Sequence, residues 1–144
     1  MSSSSSESLT FPITALRISI GIIYLWFGML KFFPGVSPAE DLAKETIRLL
    51  TFGLISPPLS LVLLAVWETM IGLLLLSGFF KRATIALVVS HMICTFTPLF
   101  ILPQLSFSNL PYGLTLVGQY IIKNIVIVSG LFVIDSFQRK TTSQ

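Results

Sequence analysis

Three ionisable residues interrupt three separate hydrophobic stretches of this chain: Glu68, His91 and Lys123. A charged group at membrane depth costs about 2.5–3.5 kcal/mol on insertion scales, so such residues are functional candidates by default. Glu68 lies ten or eleven residues into its stretch, His91 eight or nine, and Lys123 eleven. At 1.5 Å per residue each sits about 12–17 Å from its starting interface, so the three are expected to meet near the midplane. Gln119 is one turn before Lys123 on the same face, and Asn124 is adjacent. An unpaired charge in hydrocarbon is prohibitive, so the first expectation is an ion pair or shared proton between Glu68 and Lys123. His91 beside it is the group best able to change protonation near neutral pH.

A supporting face comes from the first stretch, where Arg17, Gly21, Tyr24, Gly28 and Lys31 recur at steps of four, three, four and three. That spacing lines one side of a helix, and its glycines allow a neighbouring helix to approach closely. Arg17 and Lys31 fall near opposite ends, where both can snorkel. The donors of Lys123, His91 and Gln119 suit carbonyl oxygens, and Glu68 with His91 can relay protons. The chemistry indicated is a ligand or proton site for a quinone or another lipid-soluble carbonyl compound. The plainer reading is a static polar clasp, although a buried ion pair is weak evidence for net stability. No intrinsic cofactor is expected: one histidine without CxxCH makes a poor haem site, and Glu68 with His91 offers too few metal ligands. Cys94 is alone, which excludes an intramolecular disulfide, a CxxC pair or a cysteine metal cage.

The elements that must position these groups follow from composition. Hydrophobic residues make up 53% and charged residues 10%, with mean hydropathy +0.90. A soluble domain of 144 residues would leave too much apolar surface in water, which excludes a soluble enzyme and a disordered chain. No basic run interleaved with aromatics is present to bind nucleic acid. Four stretches have the roughly 20 residues needed to cross about 30 Å of hydrocarbon, at about 11–33, 58–80, 83–102 and 112–134. The fold class is therefore all-α, a membrane four-helix bundle occupying residues 11–134. Residues 1–10 read as a polar, frayed tail; they lack the basic start of a secretory signal, so the first span reads as retained. Residues 135–144 read as a second polar tail.

Between the first two spans, Ser37-Pro38-Ala39-Glu40 reads as a capping box with proline at the first helical position. Leu42, Ile47, Leu49 and Leu50 then alternate with Asp41, Lys44, Glu45 and Arg48. That pattern predicts a short amphipathic helix over about 38–52, lying in the interface as a lid on the bundle. Lys81-Arg82 and Arg139-Lys140 fall on one side of a four-span chain, which places both termini in the cytoplasm and the lid outside.

The run carrying Arg17, Gly21, Tyr24, Trp26-Phe27-Gly28 and Lys31-Phe32 resembles the first helix of DoxX-like membrane proteins, closest to their YkgB-type branch. Glu68, Gly72 and Gly78 to Ala83 resemble the second helix and its basic turn, and Thr95-Phe96-Thr97-Pro98 the third helix. Gln119 to Asn124, with Lys before Asn, is similar to the fourth. The resemblance implies a four-helix bundle of the bacterial inner membrane, associated with quinone-linked sulfur oxidation and with oxidative or reactive-chlorine stress. The leading expectation is a quinone-linked oxidoreductase component whose redox centre belongs to a partner. The alternatives are a structural or assembly subunit of a larger membrane complex, or a small permease; the partner is another protein of a membrane complex or a second copy in a homo-oligomer. Midplane charges pointing outward would favour the subunit reading.

Overall fold

A computed structural model describes residues 3–79 and 81–142. Four helical segments, Leu9–Leu30, Pro57–Ser77, Arg82–Ile101 and Leu116–Arg139, are long and apolar enough to cross a membrane. The first span belongs to α1 (Ser3–Leu30) and the second is α3 (Pro57–Ser77), with α2 (Glu40–Leu50) between them. The third is α4 (Lys81–Phe96) continued past Thr97 by α5 (Pro98–Ile101), and the fourth is α7 (Leu116–Lys123) followed by α8 (Ile125–Thr142). Neighbours around the bundle run α3, α1, α8, α4 and back to α3.

The helices extend further than hydropathy marks them. Serines 3–6 form the first turn of α1, and α8 continues to Thr142, so the described parts of both expected tails are helical. Once a helix is nucleated, each further residue adds one hydrogen bond, so the polar ends propagate from the apolar spans. Between α5 and α7, residues 103–115 hold a helical turn α6 (Pro103–Ser106) and a two-stranded hairpin, β1 (Phe107–Asn109) with β2 (Gly113–Leu114). The fourth helix consequently begins at Leu116, where Thr115 Oγ1 accepts from the Gly118 N–H at 3.0 Å.

Glycines let α1 and α3 approach closely. A Cβ on Gly28 would lie 2.7 Å from the Thr69 nitrogen, and one on Gly72 would lie 2.6 Å from the Leu25 nitrogen. Gly21 faces Leu75 and Leu76, and the Arg17 guanidinium lies beside Gly78. These pairs define one antiparallel register, in which Leu30 comes level with Trp67. Residues 57–66 of α3 therefore run on past the end of α1 by about 15 Å.

The amphipathic helix forms as α2 and packs on α3 and α5. Its Leu42 meets Leu102 and Ile121, with Phe96, Leu99 and Val117 against them. The capping box does not form: Ala39 is the N-cap and supplies no side-chain bond. Glu40 reaches back to the Gly35 N–H at 2.7 Å, because residues 37–39 make a turn and the helix starts at Glu40 itself.

Candidate functional site

Four side chains, three from α1, α3 and α4 and one from the residue just past α1, join in one hydrogen-bonded series. Lys31 Nζ lies 2.6 Å from Glu68 Oε2, and Glu68 Oε1 lies 3.0 Å from His91 Nε2. On the other side of the ring, His91 Nδ1 is 3.1 Å from the Tyr24 hydroxyl. The two ends of the Lys31–Glu68 pair are each 9% exposed, and Tyr24, Glu68 and His91 count among the buried residues.

Each group has a structural reason to be there. Tyr24 and Lys31 share the α1 face that the glycines press against α3, one turn to either side of Gly28. Lys31 is the first residue beyond α1, and the short reach of α1 leaves it at the depth of the middle of α3. Glu68 lies on the buried face of α3 with Ile71, Gly72 and Leu75. His91 is held on α4 between two rings, Tyr24 at 5.3 Å and Trp67 at 5.7 Å between centroids, both edge-on. Thr95, one turn on, donates to the His91 carbonyl at 2.9 Å and lies 3.4 Å from Nδ1.

With Glu68 ionised against Lys31, one proton arrangement satisfies every member. His91 carries its proton on Nε2 and donates to Glu68, while the Tyr24 hydroxyl donates to Nδ1. Each of the imidazole's two hydrogen bonds thus holds one proton, toward Glu68 and toward Tyr24. Lys31 holds the compensating charge. The Trp67 indole nitrogen and the Thr69 hydroxyl, flanking Glu68, are buried and have no hydrogen-bond partner among the described residues.

The expected pair of Glu68 with Lys123 does not form. The helical phase of α7 turns Lys123 and Gln119 to the outside of the bundle, where both are exposed. The Lys123 ammonium points one turn back, over the Tyr120 ring at 5.7 Å from its centroid. Lys31, expected to snorkel at an interface, takes the place given to Lys123. Asn124 is half-buried and ends α7; its N–H reaches the Ile121 and Ile122 carbonyls, so it works in the backbone of the fourth span. Arg17 stands at the far end of α1 from Lys31 and donates to the Leu75 and Leu76 carbonyls, closing the C-terminus of α3. Trp67 was not legible as a member of the site. Its signal was adjacency to Glu68 on a helix whose facing partner was unknown.

An open apolar groove of about 430 Å³ runs between α4–α5 and α8, lined by Val89, Met92, Phe96, Phe100, Val128 and Phe132 among others. Lys31, Glu68, His91 and Tyr24 do not border it.

Four apolar spans closed around a buried series of charged and polar groups define a small polytopic membrane protein. The DoxX family model matches residues 13–101, the stretch that supplies every member of the series, and the chain belongs to the DoxX family. The match does not distinguish the YkgB-type branch from others. No curated protein and no solved structure matches the chain.

Proposed function

We propose that this DoxX-family protein is a quinone-linked component of a membrane oxidoreductase, with Lys31, Glu68, His91 and Tyr24 as its ligand and proton site. One observation carries the reading: the continuous hydrogen-bonded series from Lys31 to Tyr24 inside an apolar bundle. A clasp needs only two opposite charges. The histidine and tyrosine appended to this one supply a titratable group and a second proton donor, which packing alone does not require. A quinone takes protons as it takes electrons, so a buried proton series suits its carbonyl oxygens. The unpartnered Trp67 N–H adds a donor beside the same ring. The electrons come from a partner that carries flavin, metal or thiols. The setting is a bacterial inner membrane with both termini cytoplasmic, and the role is in oxidative stress.

The test is native mass spectrometry of protein gently extracted from its own membrane. A quinone-mass adduct is expected on the natural chain and should vanish from the Lys31→Met/Glu68→Gln double variant, which removes both charges and keeps volume. An adduct that survives in the double variant would falsify the assignment.

A second reading, an assembly subunit of a larger complex, is favoured by the outward placement of Gln119 and Lys123. Larger assemblies in the same spectrum, lost on Lys123→Met, would support it.

A further inference from the structure

The two ends of the His91 site are closed by different means. Towards the chain termini, Ile71, Val88, Leu131 and Ile134 from three spanning helices are at most 2% exposed. No part of that plug can move without separating spans. Towards α2, the seal is Leu42 on Leu102 and Ile121, with Phe96 and Leu99 beneath. Phe96 and Leu99 lie five and eight residues beyond His91, so this seal is about 8–12 Å above the ring.

Leu42 belongs to the one helix of this seal that is not part of a span. Glycines in the left-handed region stand on both sides of α2, Gly35 at φ 79° and Gly53 at φ 77°, and a Cβ on either would meet open space. Glu40 pins the start of the helix to the turn before it: its Oε2 accepts from the Gly35 N–H at 2.7 Å, and its Oε1 accepts from Lys44 of the same helix at 2.5 Å. Short elements with few buried apolar contacts and glycine turns at each end open at the lowest free energy in a fold.

We infer that α2 is a lid seated by Leu42, with its first hinge at Gly35 pinned by Glu40, and that protons and ligand reach His91 through the α2 end of the bundle. This regulation rests on the reading of the His91 series as a working site. The path itself is a property of the closure and can be tested without any quinone.

His91 is the only histidine in the chain, so its carbethoxylation by diethyl pyrocarbonate reports access to this one site. The full-length protein in detergent micelles is labelled, and the rate is read by mass spectrometry of the peptide carrying His91. Glu40→Ala should label at least about tenfold faster than the natural chain, the factor for losing one charge-assisted hydrogen bond from a closed state, and Leu42→Ala, which removes the apolar seal, should also label faster. Leu131→Ala, at the opposite end, should label at the natural rate to within about twofold. Glu40→Ala leaves the apolar seal untouched, so it decides the matter if Leu42→Ala fails to fold. Unchanged rates in the lid variants, or equal acceleration by Leu131→Ala, overturn the lid. A lid-dependent rate without a quinone adduct would sink the quinone reading and leave the lid standing.

Discussion

Lys31 and Glu68 are 37 positions apart in sequence and 2.6 Å apart in space, and this contact decides the character of the bundle interior. It exists because α1 ends level with the middle of α3, so the first residue beyond that helix end faces the centre of α3. Glu68 has a second oxygen, and it is already committed to His91.

Breaking that contact should cost more than removing it. Lys31→Met or Glu68→Gln alone strands one buried group, and each is expected to lose about 3–5 kcal/mol of stability. The double variant should recover most of that loss. Thermal unfolding of the four proteins in detergent gives the coupling energy, and additive losses would show that the pair is not coupled.

Gly28 and Gly72 should resist any side chain. A Cβ at either position meets backbone atoms at 2.7 and 2.6 Å, so Gly28→Val or Gly72→Val must push α1 off α3. A loss of at least about 1–3 kcal/mol is expected from overpacking. Gly21→Ala meets only Leu75 and Leu76 side-chain atoms at 3.1 Å or more and should be milder. Melting temperatures ranked Gly21→Ala above the two valine variants are the expected result.

Tyr24→Phe removes the hydroxyl that faces His91 Nδ1 and leaves the ring contact in place. Nδ1 then keeps only the longer contact with the Thr95 hydroxyl at 3.4 Å, so a loss of about 1 kcal/mol is expected. The nitrogen NMR signal of Nδ1 should shift as its hydrogen bond is lost, while Nε2 keeps its contact with Glu68. An unmoved Nδ1 signal would place the natural Tyr24 proton elsewhere.

The hold on α2 should fail in acid. The Lys44 ammonium and then the Gly35 N–H hold the Glu40 carboxyl below its ordinary range. A depressed folded value means the stabilisation is fully present above the unfolded value near 4.3 and is lost as pH falls through the folded value. A spin label at Leu50→Cys, with Cys94→Ser, should gain mobility as the pH falls below the ordinary glutamate value of about 4.3. Glu40→Gln should be mobile already and show no acid step. Identical titrations for the two proteins would remove Glu40 from the hold.

Arg17→Gln should loosen the opposite end. The guanidinium donates to two carbonyls that close α3, and its loss is expected to cost about 1–2 kcal/mol. Amide exchange should rise at Ser77 and Gly78 and stay unchanged near Glu68.

Much of this was legible along the chain. Span count follows from run length, because hydrocarbon thickness fixes how many apolar residues a crossing helix needs. The meeting of Glu68 with His91 was readable because both depths are measured from span starts lying on opposite sides of the membrane. The α1 glycine face was readable from its period, and α2 from its alternating charges. The partner of Glu68 was not. Depth along one helix depends on local rise, which each residue sets for itself. How far one helix slides along another, and which way it turns, depend on where two surfaces fit. Gly28 against Thr69 and Gly72 against Leu25 set the slide that brings Lys31 inward. The packing of Ile121 on Leu42 and Leu102 set the turn of α7 that leaves Lys123 outside.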